Sequence, residues 1–174
     1  MKKMIAAVAI LLMVFGLWGC KSWPMFQDDT VSFYYQRIDY TYGEDDGVIA
    51  AEGRELVGYR DNLRYLLALY FHGPQDTNLC SPFPSGTAVV DIRTEDTTLI
   101  VTLSPALAQL EDLDLTIACT CLARTCFEFV DAEEILIESQ PGEDGSAVHV
   151  TITRDQYLLT DSIPSQTEPT GETN

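Results

Sequence analysis

The sequence predicts an α+β fold in which a small mixed or antiparallel sheet carries two main helices packed on one of its faces. Strand alternation and helical periodicity succeed one another in the approximate order ββαββααββ, and no segment repeats. The length of 174 residues leaves room for one ordinary domain once terminal segments are set aside. The chain therefore divides into a lipoprotein signal peptide, a tether, one α+β domain and a disordered tail: residues 1–19, 20–30, 31–160 and 161–174.

The N-terminus has the layout of an export signal. Two lysines precede an uninterrupted apolar run over residues 4–18, and a glycine and Cys20 follow. The last four residues of this segment, LWGC, resemble the lipobox of bacterial lipoproteins, with Cys20 as the lipidation site. An uncleaved anchor is the alternative, but the run falls short of the ~20 residues of a spanning helix. Both interpretations hold the domain at the outer face of the cytoplasmic membrane.

The exported part of the chain is strongly acidic. The formal net charge is −17, and removal of the two signal-peptide lysines makes it −19 (−17 − 2). Phosphate backbones and anionic membrane surfaces repel such a protein, so we exclude a nucleic-acid partner. The simplest explanation of this charge is that it keeps the protein soluble. The alternative is that it serves to bind a protein partner with a basic surface.

The first two strands are expected to pair as a hairpin. Val31, Phe33 and Tyr35 alternate with polar residues in the first strand. A turn over residues 43–47 leads to a second strand over residues 48–57, in which Gly53 is predicted to mark a bulge or a break.

A short helix follows, for which Asp61 is the predicted N-cap and Gly73-Pro74 the stop. Its apolar residues recur at helical spacing: Leu63, Leu66, Leu67 and Tyr70. The long loop after it, up to residue 87, contains three prolines and Cys80. Long loops in small domains are often functional, but we interpret this one as a stiff crossover rather than an active-site lid.

The second half begins with two strands that we expect to lie side by side and antiparallel. TAVVDI places Ala88, Val90 and Ile92 on one face, and LIVTL alternates in the same way over residues 99–103. Ser104 is the predicted N-cap of a short helical piece with proline at its first position.

A longer helix is predicted from Asp112 to about Phe129, and its apolar stripe should cover the sheet. The stripe consists of Leu115, Ala118, Cys119, Leu122, Cys126 and Phe129. The domain closes with a hairpin of AEEILIES and AVHVTIT around the turn at residues 141–145.

The order of these elements, together with their aromatic, glycine and proline positions, carries a family resemblance. FYYQ lies in the first strand, Gly73-Pro74 ends the helix, PSGT closes the loop, and IACTCLARTCFEF precedes the strand EEILIES. Over residues 33–139 this pattern resembles the GerMN domain of sporulation and spore germination lipoproteins. The resemblance implies an anchored extracytoplasmic module of assembly or interaction, with protein partners that include a second copy of itself and without catalytic residues to carry over.

Four cysteines of the domain form the main candidate for chemistry: Cys80, Cys119, Cys121 and Cys126. Thiolates bind zinc, but helical rise separates Cys119 from Cys126 by about 10.5 Å and Cys121 from Cys126 by about 7.5 Å. A disulfide needs Cα atoms about 4.4–6.8 Å apart. Three interpretations stay open: small buried apolar residues, one bridge from Cys80 to Cys119, Cys121 or Cys126, and a metal site. We expect no metal and no cofactor.

Catalysis has one weak candidate, the pair His72 and Cys80. A nucleophile and a base lie eight residues apart, but no third orienting group or oxyanion site accompanies them, so we expect no enzyme. The alternative function is a surface lipoprotein that binds a small ligand or a wall glycan, or an envelope hydrolase with an unrecognised site. The aromatic residues that could stack on a sugar are Tyr34, Tyr35, Tyr40 and Tyr42.

Overall fold

The computed structural model of the chain describes residues 30–40, 47–56, 58, 61–143 and 145–155. It confirms the α+β class, with strands divided between a three-stranded and a four-stranded sheet rather than gathered in one. The signal peptide, the tether before residue 30 and the tail lie outside the described residues. Within the described ranges, no helix is both long enough and apolar enough to span a bilayer.

The first sheet is built around the predicted hairpin. Strand β1 (Thr30–Arg37) pairs antiparallel with β2 (Ile49–Glu55) on one edge and with the two-residue strand β3 (Leu79–Cys80) on the other. The expected bulge at Gly53 is wrong, because the register of β1 and β2 runs through this residue without a shift. A Cβ at Gly53 would come within 3.2 Å of Thr30 Cγ2, so a cross-strand methyl group occupies the space.

Helix α1 (Leu63–Phe71) buries Leu66, Leu67 and Tyr70, as its periodicity predicts. Its N-cap is Asn62 and not Asp61, because the Asn62 side chain accepts the Tyr65 N–H at 3.1 Å. Gly73 ends the segment with φ +94°, a conformation that residues with a Cβ rarely adopt.

The second sheet has the order β4-β5-β6-β7, formed by Val89–Glu95, Thr98–Leu103, Glu134–Ser139 and His149–Thr153. Strands β4 and β5 pair antiparallel as predicted, and β6 and β7 form the predicted closing hairpin. Strands β5 and β6 are parallel, because a 3-10 helix (Pro105–Gln109) and helix α2 (Asp112–Phe129) cross between them.

A bulge near the start of β4 corrects the predicted face of that strand. Val89 pairs with Leu103, whereas the next partner, Asp91, pairs with Thr102, so one extra residue is inserted. Val90 is consequently 40% exposed instead of facing the core. Ala88 is also exposed, and Ile92 alone of the predicted trio packs against the core.

Helix α2 lies between the two sheets, where it contacts β1 of the first sheet and both β6 and β7 of the second. Its buried surface is therefore wider than the predicted stripe and includes Ile117, Cys121 and Thr125. Small side chains dominate the central turns, ACTCLA, which allows two sheets to approach one helix closely. The helix starts after Glu111, and Ser104 does not cap the preceding 3-10 helix with its side chain.

Candidate functional site

The predicted lipidation site, Cys20, lies outside the described residues, so lipid attachment stays a prediction from the LWGC segment. The same holds for Tyr42, one of the four tyrosines considered for sugar stacking.

The four cysteines of the domain are free thiols in this structure. Cys119, Cys121 and Cys126 are buried in α2, and Cys80 is half-buried on β3. Burial raises the pKa of Cys119 and of Cys126 to about 12, and it raises the pKa of Cys80 above its ordinary value. The thiols are therefore protonated at neutral pH, which is typical of buried structural cysteines and makes them poor metal ligands and nucleophiles.

Neither chemical candidate from the sequence assembles into a site in the described part of the chain. No group of three or more His, Cys, Asp or Glu side chains there could hold a metal ion. His72 is exposed at the C-cap of α1, and no hydrogen bond joins its side chain to Cys80 on β3. The proposed nucleophile and base thus lack the contact that would activate a thiol.

The long loop after α1 is fastened to strand β2 by one carboxylate. Glu52 Oε2 accepts the backbone N–H groups of Gln75 and Asp76 at 2.7 Å each. Burial by itself would raise the pKa of Glu52, but these N–H groups and the Arg54 guanidinium lower it below the ordinary value. These two bonds hold the first part of the loop against β2.

Arg54 completes this attachment from the same face of β2. Its guanidinium pairs with Glu52, donates to the Gly73 carbonyl at 2.7 Å, and donates to the Tyr35 hydroxyl at 3.3 Å. It also lies over the Phe33 ring, 4.9 Å from the centroid. The Arg54 and Glu52 side chains are only 8% and 10% exposed, so this pair, which sequence analysis missed, is a structural cluster with its polar groups engaged.

Three of the candidate tyrosines, Tyr34, Tyr35 and Tyr40, make contacts within the protein. Tyr35 is fully buried and donates from its hydroxyl to the Tyr70 carbonyl at 2.9 Å. The Tyr34 ring carries the Arg124 guanidinium 4.6 Å from its centroid, and its hydroxyl donates to Glu128 at 3.1 Å. Tyr40 accepts a hydrogen bond from Gln36 at 3.4 Å. Burial therefore closes Tyr35 to a sugar, and Arg124 covers one face of the Tyr34 ring.

The second sheet has one face on the core and one face toward the outside, which we call the open face. The strand registers arrange the open face in three rows of four residues across the sheet. The rows are Asp91-Thr102-Glu138-His149, Arg93-Ile100-Leu136-Thr151 and Glu95-Thr98-Glu134-Thr153. On both edge strands these side chains are largely exposed, whereas the opposite face is buried through residues such as Leu99, Val101 and Ile135.

Charged groups frame an apolar centre on the open face. Ile100, which is only 4% exposed, and half-buried Leu136 lie side by side in the middle row, and Arg93 flanks them. Arg93 donates to Glu138 at 3.0 Å and to Glu95 at 3.1 Å. Four carboxylates face one arginine in the three rows, so the face carries excess negative charge.

Glu138 connects the polar side chains at one end of the open face. The Thr102 hydroxyl donates to it at 2.7 Å, and this bond with the Arg93 guanidinium lowers the pKa of Glu138 below its ordinary value. His149 Nδ1 lies 3.8 Å from the second carboxylate oxygen. Sequence alternation had marked these positions only as the polar side of strands.

Comparison with known proteins gives structural neighbours. No protein-family model matches the chain, and the curated proteins contain no significant match. The chain is similar to the solved structure of a putative lipoprotein from Clostridium perfringens, at 18% identity and TM-score 0.45, over 73% of this chain and 88% of that one. It is also similar to the first GerMN domain of the sporulation protein GerM from Bacillus subtilis, at 15% identity and TM-score 0.47, over 72% of this chain and 99% of that one. The latter belongs to the family that the sequence resembles.

Proposed function

We propose that this chain is a lipid-anchored, extracytoplasmic interaction module of the bacterial cell envelope that binds a protein partner through its open face. Lipid on Cys20 holds it at the outer face of the cytoplasmic membrane, and it has no catalytic role. The sequence resemblance to the GerMN family suggests an assembly that acts in sporulation or spore germination.

The single observation that carries this proposal is the arrangement of the open face. Interfaces combine an apolar centre with a polar, hydrogen-bonded rim, and here half-buried Leu136, beside buried Ile100, lies between rows that contain Glu138 and Glu95. The excess of carboxylates favours a partner with a basic surface, because complementary charge speeds and orients association.

The polar clusters support a binding role over a catalytic one. The buried Glu52 and Arg54 pair bonds to backbone groups of the loop and to Tyr35, so its hydrogen-bonding capacity is used in holding the fold. A catalytic pair would instead present unsatisfied groups to a substrate.

Lipid anchoring is tested by replacement of Cys20 with alanine. We expect the precursor of Cys20→Ala to stay uncleaved by the lipoprotein signal peptidase and to incorporate no labelled fatty acid. The wild-type chain, labelled in parallel, is the control. Fatty acid on the mutant would remove the anchoring claim.

Docking on the open face is tested by a photo-crosslinking amino acid at Thr151, which is exposed in the middle row. Asp114, exposed on α2 away from this face, is the control position. We expect one defined protein crosslink in intact cells at Thr151 and none at Asp114, and we expect Leu136→Glu to weaken it. Equal crosslinking at both positions would contradict the proposed surface.

A further inference from the structure

Cys80 and Cys121 come from different elements of the fold but lie at the same level beside strand β1. We propose that these two residues form an intramolecular disulfide in the exported protein, a covalent modification site within the domain. The bridge would tie β3, and with it the long loop, to helix α2. The proposal rests on the proposed function only for the extracytoplasmic location that supplies an oxidant.

Two contacts fix how α2 runs along β1. The Tyr34 backbone N–H donates to Thr125 Oγ1 at 3.0 Å, on the edge of β1 that faces away from β2. The ring of Phe129, one turn further along α2, packs on the ring of Phe33 with centroids 5.6 Å apart. Because the residue number rises along the helix as it falls along the strand, α2 runs antiparallel to β1.

One helical turn before Thr125 brings the chain to Cys121, whose carbonyl accepts the Thr125 hydroxyl at 2.9 Å. Four residues of helix span about 6 Å, which equals roughly two residues of strand. Cys121 therefore lies at the level of Gln36 on β1. Gln36 is the residue that pairs with Cys80, and β3 occupies the same edge of β1 that Thr125 contacts.

The other helix thiols do not share this position. Cys119 is two residues from Cys121, which turns it about 200° around the helix axis, and Cys126 points into the hydrophobic core. Cys121 itself is buried but is not part of that core cluster. Burial raises the pKa of Cys121, the Arg124 guanidinium lowers it, and the charge of a Cys80 thiolate raises it, which agrees with the proximity argued from the strand register.

The chemistry is thiol–disulfide exchange with an extracytoplasmic oxidoreductase that carries a reactive disulfide. The Cys80 thiolate attacks that disulfide, forms a mixed disulfide and releases one oxidoreductase thiolate. The Cys121 thiolate then attacks the Cys80 sulfur and releases the second. The domain loses two S–H bonds and gains one S–S bond, while the oxidoreductase is reduced to the dithiol and takes up both protons.

The timing of the reaction follows from burial. Cys121 is fully buried and Cys80 is half-buried in the folded domain, so an oxidoreductase reaches both thiols only before α2 packs between the sheets. Once formed, the bridge would be shielded from reduction. It closes a loop of 41 residues (121 − 80) and should raise the denaturation midpoint by roughly 10 °C.

The test maps the bridge in the purified full-length protein after refolding in a buffer of reduced and oxidised glutathione. Thiols are blocked in denaturant, and trypsin then separates Cys80, the Cys119 and Cys121 pair, and Cys126 onto three peptides, because it cuts after Arg64, Arg93, Arg124 and Arg154. We expect one linked species that joins the first peptide to the second. Blocked thiols at both Cys80 and Cys121, or a link to the third peptide, would overturn the proposal.

Two matched variants assign the partner within the second peptide. We expect Cys121→Ala to abolish the link and to lose the gain in denaturation midpoint, and we expect Cys119→Ala to keep both. A link that survives in Cys121→Ala overturns the assignment. Circular dichroism of each reduced variant establishes that it folds.

A separate arm uses the protein extracted from cells with thiols trapped in acid. Lipid labelling at Cys20 is read on the same sample, so failure of the anchor and failure of the bridge are distinguishable. An extracted chain with both thiols reduced overturns the proposal for the exported protein, and a linked peptide supports it even if the label is absent.

Discussion

At the scale of single residues, Arg54 joins several parts of the described structure through one side chain. Its planar guanidinium reaches Glu52, the Tyr35 hydroxyl and the Gly73 carbonyl at the same time. A lysine ammonium carries the same charge but cannot present a fork of donors in one plane. Charge alone therefore does not explain this position.

We predict that Arg54→Lys lowers the free energy of unfolding by about 2 kcal/mol, because buried acceptors lose their donor. The matched control is Arg64→Lys, whose side chain is 60% exposed and has a single ion pair at 4.0 Å. This change should stay within about 0.5 kcal/mol of wild type. Urea denaturation measures the free energy of unfolding of both variants. Equal losses in the two would contradict the role of the planar Arg54 guanidinium.

Glu52 should make stability depend on acid. Its folded-state pKa is lowered, so the folded chain binds fewer protons than the unfolded chain as pH falls below about 4.5. The stability that Glu52 contributes is present above that pH and is lost as pH falls through the lowered pKa. We predict that Glu52→Gln costs about 2 kcal/mol at pH 7 and much less at pH 3.

The control for this pH dependence is Glu55→Gln, an exposed position on the same strand. Urea denaturation at both pH values gives the comparison. If Glu52→Gln and Glu55→Gln follow the same pH profile, the carboxylate does not act through the loop.

At the scale of elements, Thr125 joins the first sheet to helix α2. Its hydroxyl accepts the Tyr34 N–H and donates to the Cys121 carbonyl, and the residue is fully buried. Thr125→Val would remove the acceptor of the Tyr34 N–H and the hydroxyl that bonds the Cys121 carbonyl, so we predict a loss of about 2 kcal/mol. Thr120→Val removes only a bond to its own helix and should cost less than about 1 kcal/mol. Denaturation curves that give the reverse order would refute this role.

The start of helix α1 provides a second comparison between elements. Asn62 accepts the Tyr65 N–H, whereas Asp61 is exposed before it. We predict that Asn62→Ala lowers the free energy of unfolding by about 1 kcal/mol. Asp61→Ala should change it by less than about 0.5 kcal/mol. Thermal denaturation monitored by circular dichroism decides between the two caps.

Sequence periodicity predicted the elements that are long and have a single apolar face. The hairpin of β1 and β2, helix α2 and the closing hairpin all repeat their pattern over enough residues to be recognised. Strand β3 has two residues, and the bulge at Val90 depends on pairing with β5, so neither has a local signal. The Glu52 contacts with Gln75 and Asp76 span more than twenty positions of sequence and exist only once the loop folds back.

At the scale of the whole molecule, the division into two sheets explains the cysteine-rich composition of helix α2. A helix packed on one sheet needs one apolar stripe, but α2 is buried on nearly all sides over Ile117–Ala123. Cysteine, alanine and threonine supply small side chains that fit between two sheets. The spacing C-x-C-x4-C thus follows from packing in the described structure, and Cys121 is the one helix cysteine for which we propose a further role.

Net charge should set how the whole domain responds to salt. With a formal charge of −19 for residues 20–174 (−17 − 2), repulsion between carboxylates acts against the compact state. The screening length falls from about 30 Å at 0.01 M salt to about 3 Å at 1 M. We predict that sodium chloride raises the denaturation temperature over this range, while it weakens binding of a basic partner to the open face.

The variant Glu111→Gln, which removes one exposed carboxylate, should reduce the salt dependence slightly. A denaturation temperature that falls with salt would mean that attractive pairs such as Arg93 with Glu138 outweigh the net repulsion, and the acidic surface would then need another explanation than repulsion between like charges.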